Sequence, residues 1–144
     1  MNVEVRIGSW SEQQAVAQAI RYAVFVIEQK IPASLEWDEM DAVCMHAVAI
    51  DEQGHGLGTG RLLPDGHIGR MAVKKGARGF GVGGAILEAL VKAAQRRGDT
   101  VVKLNAQTSA EGFYASHGFS RDGEEFVEAG IPHIGMLRAL STIE

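Results

Sequence analysis

Apolar and polar positions alternate over VEVRI (residues 3–7), the period of a strand with one buried face. The period then changes. Val16, Ala19, Ile20, Ala23, Val24 and Ile27 fall on one side of a helix, and Ser9 with Glu12 three residues on supplies a capping box at its start. IPASLEWDEMDAVC (31–44) has Pro32 and scattered acids without a period, which predicts an irregular connection with a helical turn at most. HAVAI (46–50), GLGTGRLL (56–63) and HIGRMAV (67–73), joined through DEQGHG and PDG, predict a three-strand meander.

Beyond a glycine-rich stretch, Ile86, Leu87, Leu90, Val91 and Ala94 form an apolar stripe. They predict a helix of about 14 residues, roughly 21 Å long, that Gly98 stops. TVVKLNA (100–106) is a near-continuous apolar run of the buried-strand type, SAEGFYASH (109–117) is a short helix ended by Gly118, and HIGMLRAL (133–140) is a late strand. Strand, helix, three-strand meander, helix, strand, helix, strand mixes antiparallel and crossover connections, so the fold class is α+β, or mixed α/β.

Composition narrows the picture in three ways. The 144 residues suffice for one domain with its own core, and no linker, repeat or low-complexity tract divides residues 1–144. A net charge of −4, with no basic cluster larger than Lys74-Lys75 or Arg96-Arg97, argues against nucleic acid as a partner. MNVEVRIGSW has neither a basic start nor a long apolar run, and no segment reaches the roughly 20 apolar residues of a membrane span. With a single cysteine, Cys44, the expectation is a cytoplasmic protein that does not bind membranes.

The candidate chemistry begins at RGFGVGG (78–84), which runs straight into the amphipathic helix. A helix N-terminus exposes N–H groups without intrahelical partners, and the helix dipole adds positive charge there. Glycines let the chain curl so that several N–H groups converge, and they remove the Cβ atoms that would hold a phosphate away. Arg78 adds a donor suited to phosphate oxygens. A plain chain reversal would also use glycine, so the pattern alone leaves a phosphate cradle and a turn both open. Gly-Lys-Ser/Thr of a Walker A loop is absent, and Gly79-x-Gly81 lacks the third glycine of a dinucleotide fingerprint, which makes nucleotide binding the weaker reading.

Arg78-x-x-Gly81-x-Gly83, preceded by IGRMAV and followed by an amphipathic helix, resembles the acyl-coenzyme A motif of the GNAT superfamily of N-acetyltransferases. VVKLNAQ followed by AEGFYASHGF resembles that family's later strand and its tyrosine-containing helix. RYAVFVIEQKIP, EWDEMDAVCMHAVA, GTGRLL and FVEAGIPHIGM resemble the ElaA-like branch, so the likeness runs through nearly the whole chain. It implies a central mixed, mostly antiparallel sheet flanked by helices and splayed between the fourth and fifth strands.

The resemblance also implies an N-acetyltransferase that takes acetyl-CoA as cosubstrate, needs no metal, and passes acetyl directly to a primary amine of a small molecule or peptide. A coenzyme A-binding sensor without turnover is the alternative, and dimers are frequent in the family. Carried over, the main chain of Met71, Ala72 and Val73 pairs with the pantetheine, and Arg78, Gly79, Phe80, Gly81, Val82, Gly83 and Gly84 hold the pyrophosphate. The side chains of Met71 and Val73 alternate as a buried face does, which is compatible with that main-chain role. Tyr114 stands where the family often has its general acid: a tyrosine with a pKa of about 10 is protonated at neutral pH and can donate to a departing thiolate. As a core aromatic it would have no such role. Gln107 departs from the Asn of many relatives, and Asn105 is a second polar candidate on the same strand.

The acceptor amine must lose a proton before it attacks, and Glu28 and His133, then His46 and Glu128, are the candidates for that side of the site. Glu28 would otherwise face solvent, and His133 would only bond within its turn. Cys44-x-His46 lacks the further ligands of a zinc site. Cys44 leads into an apolar strand, where packing is the commoner use of a lone cysteine, though a Cys-His catalytic pair stays open. The acids Glu36, Asp38, Glu39 and Asp41 read either as a guide for a cationic amine or as a solvated loop.

Overall fold

The computed structural model describes residues 2–36 and 38–141, with Leu35 described by its backbone alone. Strand β1 (Glu4–Gly8) leads into α1 (Trp10–Arg21), and both bonds of the expected capping box form: Ser9 N–H donates to Glu12 Oε1 at 2.8 Å and Glu12 N–H to Ser9 Oγ at 3.3 Å. After Arg21 the helix widens into a π-helical segment, Tyr22–Glu28, and Gln29 N–H reaches back five residues to the Val24 carbonyl.

The apolar stripe departs from its expected line already within α1, upstream of that widening. Ala17, Ile20, Arg21 and Val24 are the buried positions, Ala19 is exposed, and Ile27 is 60% exposed. The connection expected to be irregular holds a short helix, α2 (Ala33–Glu36), and a 3₁₀ turn, Glu39–Val43, whose first N–H groups are capped by Asp38. Residue 37 of this stretch lies outside the described residues.

The meander follows as expected: β2 (Met45–Ile50), β3 (Gly56–Leu62) and β4 (Ile68–Val73) form with β1 an antiparallel sheet in the order β1-β2-β3-β4. Its two faces are covered separately. Ala72 joins Ile20 and Val24 on one side, while its neighbours Met71 and Val73 pack against the cluster of Val82, Ile86 and Leu90 on the other, as a period of two requires. Those last residues belong to α3 (Val82–Arg97), and all five stripe positions read from the sequence are buried. Gly98 closes the helix at φ 98°, donating back to the Ala94 and Gln95 carbonyls.

A second sheet carries β5 (Val101–Gln107), β6 (Ser120–Arg121), β7 (Phe126–Glu128) and β8 (Ile131–Ala139), with β8 central. In β5, Val102, Leu104 and Ala106 are buried while Lys103 and Asn105 are exposed, so the strand has one covered face where the sequence reading expected two. Between β5 and β6 lies α4 (Glu111–Ser116). The sequence reading omitted β6 and β7. β7 and β8 form a hairpin whose two-residue turn, Ala129 (φ 52°) and Gly130 (φ 76°), has both central residues left-handed.

The two sheets touch at one place. His67 and Lys103 form a parallel bridge, with Lys103 N–H donating to the Gly66 carbonyl at 3.0 Å, and beyond it β4 and β5 part. A β-bulge marks β4 just there: Thr59 pairs with Ala72 and Arg61 with Gly69, which leaves Arg70 and Met71 opposite Gly60. Arg70 takes φ 51°, and a Cβ on Gly60 would stand 2.6 Å from Met71 Sδ and 3.0 Å from Leu90 Cδ1, so those side chains would have to shift to admit one. The bulge turns the end of β4 away from β5, so the fold is an open mixed α/β arrangement splayed between its fourth and fifth strands.

Candidate active site

Between the parted strands lies a cleft of about 700 Å³. Met71 and Gly69 from β4 line one wall, Leu104, Asn105 and Gln107 from β5 the other, and Tyr114 from α4 stands beside them. The rest of the rim comes from two further pieces, Phe25 of the π-helical segment with Gln29 at its end, and the β7–β8 hairpin with Glu128 and His133. The strand edges that face the cleft carry backbone N–H and C=O groups outside either ladder, available to an extended ligand.

The glycine stretch lies beyond the end of β4. Gly79 and Gly81 have φ of 86° and 77°, a conformation that L side chains rarely adopt. Gly81 is the N-cap of α3 and no side chain caps that end, so the first-turn N–H groups, Val82 to Gly84, are offered outward. The helix therefore starts inside the glycine stretch and includes Gly83 and Gly84. A Cβ on Gly83 would lie 3.6 Å from both Phe113 Cζ and Val73 Cγ2, so the end of β4, the start of α3 and α4 converge around the loop. Phe80 is exposed on its rim.

Arg78 crosses the end of β4. Its Nε donates to the Val73 carbonyl at 3.0 Å, and its two Nη atoms grip Glu28 at 2.7 and 2.6 Å. This grip holds the Glu28 carboxyl below its ordinary range. Arg78 thus holds Glu28 at the glycine loop, and Glu28 is not among the residues that line the cleft, although its neighbour Gln29 is.

Tyr114 makes edge contacts with Phe113 and Phe119, at 5.0 and 6.1 Å between ring centres, and packs partly against the main core. Burial pushes its phenol above the ordinary value, so it holds its proton well past neutral pH. Packing and access to the cleft coexist in this one side chain.

Of the acceptor-side candidates, His133 and Glu128 reach the cleft and His46 does not. His133 Nδ1–H donates to the Ile131 carbonyl at 2.7 Å, which leaves Nε2 towards Glu128 Oε2, 3.8 Å away, and the ring stacks on Phe126 at 5.7 Å. His46 lies buried beneath Trp10, with Nε2 bound to the Asp41 carbonyl at 2.9 Å. Cys44 is buried, which raises its thiol pKa, and among the described residues no group of three or more His, Cys, Asp or Glu could hold a metal ion.

The acids of 36–41 divide: Glu39 is exposed as in a solvated loop and Asp38 is partly so, whereas the other two are enclosed. Glu36 and Asp41 are buried and built into a network with three arginines that the sequence reading did not single out. Arg21 pairs with Glu36 and with Asp41 Oδ1 (2.8 Å); Arg61 grips Asp38 at 2.7 and 3.0 Å and reaches Asp41 at 2.9 Å; Arg70 binds Asp38 Oδ2 at 3.0 Å. Three cations balance three anions, which is how so many charges are tolerated away from water. Glu36 and Arg70 carry this network to the cleft wall.

Comparison with known proteins agrees with this geometry. The family model described as an acetyltransferase (GNAT) domain matches residues 9–140. A Bacillus subtilis protein named uncharacterized N-acetyltransferase YjcF is 43% identical over 130 residues, covering 88% of this chain and 93% of its own. Among solved structures, an acyl-CoA N-acyltransferase from Pseudomonas aeruginosa superposes with a TM-score of 0.84 at 36% identity, covering 96% of this chain and all of that one (100%). ElaA of Escherichia coli superposes equally well, with a TM-score of 0.84 at 29% identity over 95% of this chain and 99% of its own. By its match over nearly its whole length and its splayed sheet, the chain belongs to the GNAT family of N-acetyltransferases.

Proposed function

We propose that this enzyme moves the acetyl group of acetyl-CoA to a primary amine of a small molecule or peptide, by direct attack through a tetrahedral intermediate and within a single domain. One observation carries the reading: an uncapped, glycine-built helix N-terminus beyond the end of a strand whose bulged, unpaired edge lines a cleft holding Tyr114. Each part has a matching chemical task.

The first-turn N–H groups of α3, with Arg78 and the backbone of Gly79 to Gly84, bind the pyrophosphate. The open edge of Met71, Ala72 and Val73 pairs with the amide groups of the pantetheine, and Asn105 and Gln107 bond to it from β5. A backbone N–H near Ala72 or Val73 stabilises the oxyanion of the intermediate. Tyr114, protonated at neutral pH, gives its proton to the departing thiolate. The acceptor enters from the side of Phe25, Gln29 and the β7–β8 hairpin, where His133 and Glu128 are the sequence-derived candidates to take the amine's proton.

The test is thiol release. Purified protein supplied with acetyl-CoA and a mixed library of primary amines is expected to release free coenzyme A in an amine-dependent way, with acetylated amines as products. Tight binding of acetyl-CoA without amine-dependent release would mark a coenzyme A sensor and overturn the catalytic reading.

A further inference from the structure

Glu36 is 3% exposed and nevertheless forms part of the cleft wall. Its two oxygens are used differently. Oε1 accepts from Arg21 Nε, and Arg21 Nη2 also donates to the Glu36 carbonyl at 3.0 Å, so the carboxylate is locked in place from behind. Among the described residues no hydrogen bond is formed to Oε2. The cation beside it, Arg70 Nε, stands 3.7 Å away, beyond bonding distance, and is itself buried without an acceptor. A buried carboxylate normally has both oxygens occupied, because an unmade bond to a buried charged group leaves its desolvation uncompensated. An oxygen left open on a cleft wall is a place for an incoming donor.

The surroundings suit a cation that brings a proton. Arg21 from α1 and Asp41 from the 3₁₀ turn face Glu36 from behind, Arg70 from β4 stands beside Oε2 on the cleft wall, and Glu128, His133 and His67 line the same cleft. The charges of Arg21, Arg61 and Arg70 are already matched by Glu36, Asp38 and Asp41, so no surplus positive charge repels an ammonium group. Burial raises the Glu36 carboxyl above its ordinary range against the pull of the two arginines, which makes it a better proton acceptor than a solvated glutamate.

We infer that Oε2 of Glu36 receives the ammonium group of the acceptor and takes its proton, so that Glu36 selects a cationic primary amine. The inference rests on the acetyl-transfer reading. The ammonium gives one proton to Glu36, and its nitrogen lone pair forms the C–N bond to the thioester carbonyl. When the C–S bond breaks, sulfur takes a proton from Tyr114. The nitrogen's remaining surplus proton restores the phenol, and Glu36 passes its own to water. Amine in its ammonium form and acetyl-CoA thus give amide, free thiol and one proton.

The experiment measures kcat/KM against pH with acetyl-CoA and a panel of benzylamine, phenethylamine and putrescine, alongside calorimetric binding of coenzyme A and thermal melting. Wild-type kcat/KM is expected to fall as pH drops through the raised Glu36 value. Glu36→Gln is expected to lose about 10²-fold or more in kcat/KM and to lose that acid limb, while binding coenzyme A as before. Asp41→Asn, which breaks the same network from a position outside the cleft, controls for damage to the fold and is expected to keep the limb. Should Glu36→Gln fail to fold, Glu36→Asp keeps the charge balance but withdraws the oxygen, and is read in the same way.

Equal effects of the Glu36 and Asp41 variants, or an acid limb that vanishes in His133→Gln and persists in Glu36→Gln, would overturn the assignment. So would wild-type protein that binds acetyl-CoA but acetylates no amine of the panel. Failure of wild-type protein to bind coenzyme A would instead remove the acetyl-transfer reading itself.

Discussion

Arg78 and Glu28, fifty residues apart in sequence, meet in a two-pronged ion pair of 2.7 and 2.6 Å at the edge of the glycine loop. Both side chains are well exposed, so the pair contributes little to stability. Its consequence is for the ligand: a carboxylate holds the guanidinium that the pyrophosphate would use. Arg78→Ala is expected to weaken coenzyme A binding about tenfold with little change in melting temperature. Glu28→Gln is expected to tighten binding by removing a competing anion. Calorimetry and thermal melting of the two variants check both.

Gly81 tests whether the loop's backbone shape is what matters. At φ 77° a Cβ is strained although nothing lies within 4 Å of it, so Gly81→Ala is expected to cost about 1–2 kcal/mol in stability and to lower coenzyme A affinity. Gly76, nearby in an ordinary conformation with equally open space, provides the comparison, and Gly76→Ala is expected to leave both quantities unchanged.

For Tyr114 the expected signature is a split between chemistry and binding. Tyr114→Phe keeps the ring contacts with Phe113 and Phe119 and removes only the proton donor. Turnover is expected to fall about 10²-fold while coenzyme A affinity stays as it was. Because burial raises the phenol, wild-type activity is expected to show no alkaline loss from this group below the ordinary tyrosine pKa of about 10.

The arginine network should show itself in acid. Arg61 bonds and attracts Asp38, holding its carboxyl down at about 2, against 3.8 when unshifted. A carboxyl depressed in the folded state stabilises the fold above its unfolded value and loses that contribution as pH falls through the folded one. Asp38→Asn is therefore expected to lower the melting temperature at neutral pH by an amount equivalent to about 1 kcal/mol, allowing for its partial exposure. The gap to wild type is expected to close between pH 3.8 and about 2, which melting curves at stepped pH would show.

What could be read from the sequence followed how local the physics is. The capping box at Ser9, the α3 stripe and the Gly98 stop each rest on residues within a turn or two, and all three form. The glycine loop could be placed at a helix start for the same reason. The π-helical widening after Arg21 left no mark, since RYAVFVIE keeps an apolar content that serves either helix. The bulge at Arg70 depends on the partner strand and on Gly60, ten residues back.

The hairpin of β7 and β8 turns through Ala129-Gly130, and FVE is short and exposed, so neither the usual turn dipeptides nor a buried face announced it. The buried network did leave one trace. Arg21 occupies the same helical stripe as Ala17, Ile20 and Val24, and a charge on an apolar stripe asks for a buried counter-charge, which the acids of 36–41 supply.

Calorimetric titration with acetyl-CoA, with ATP and NAD in parallel, tests the central claim most directly, that the RGFGVGG loop and the splayed strands form one acyl-coenzyme A site. The account predicts saturable one-to-one binding of acetyl-CoA alone, lost in Gly81→Trp while the variant stays folded. Absence of binding to the wild-type protein, equal binding of ATP or NAD, or full binding by folded Gly81→Trp would contradict it.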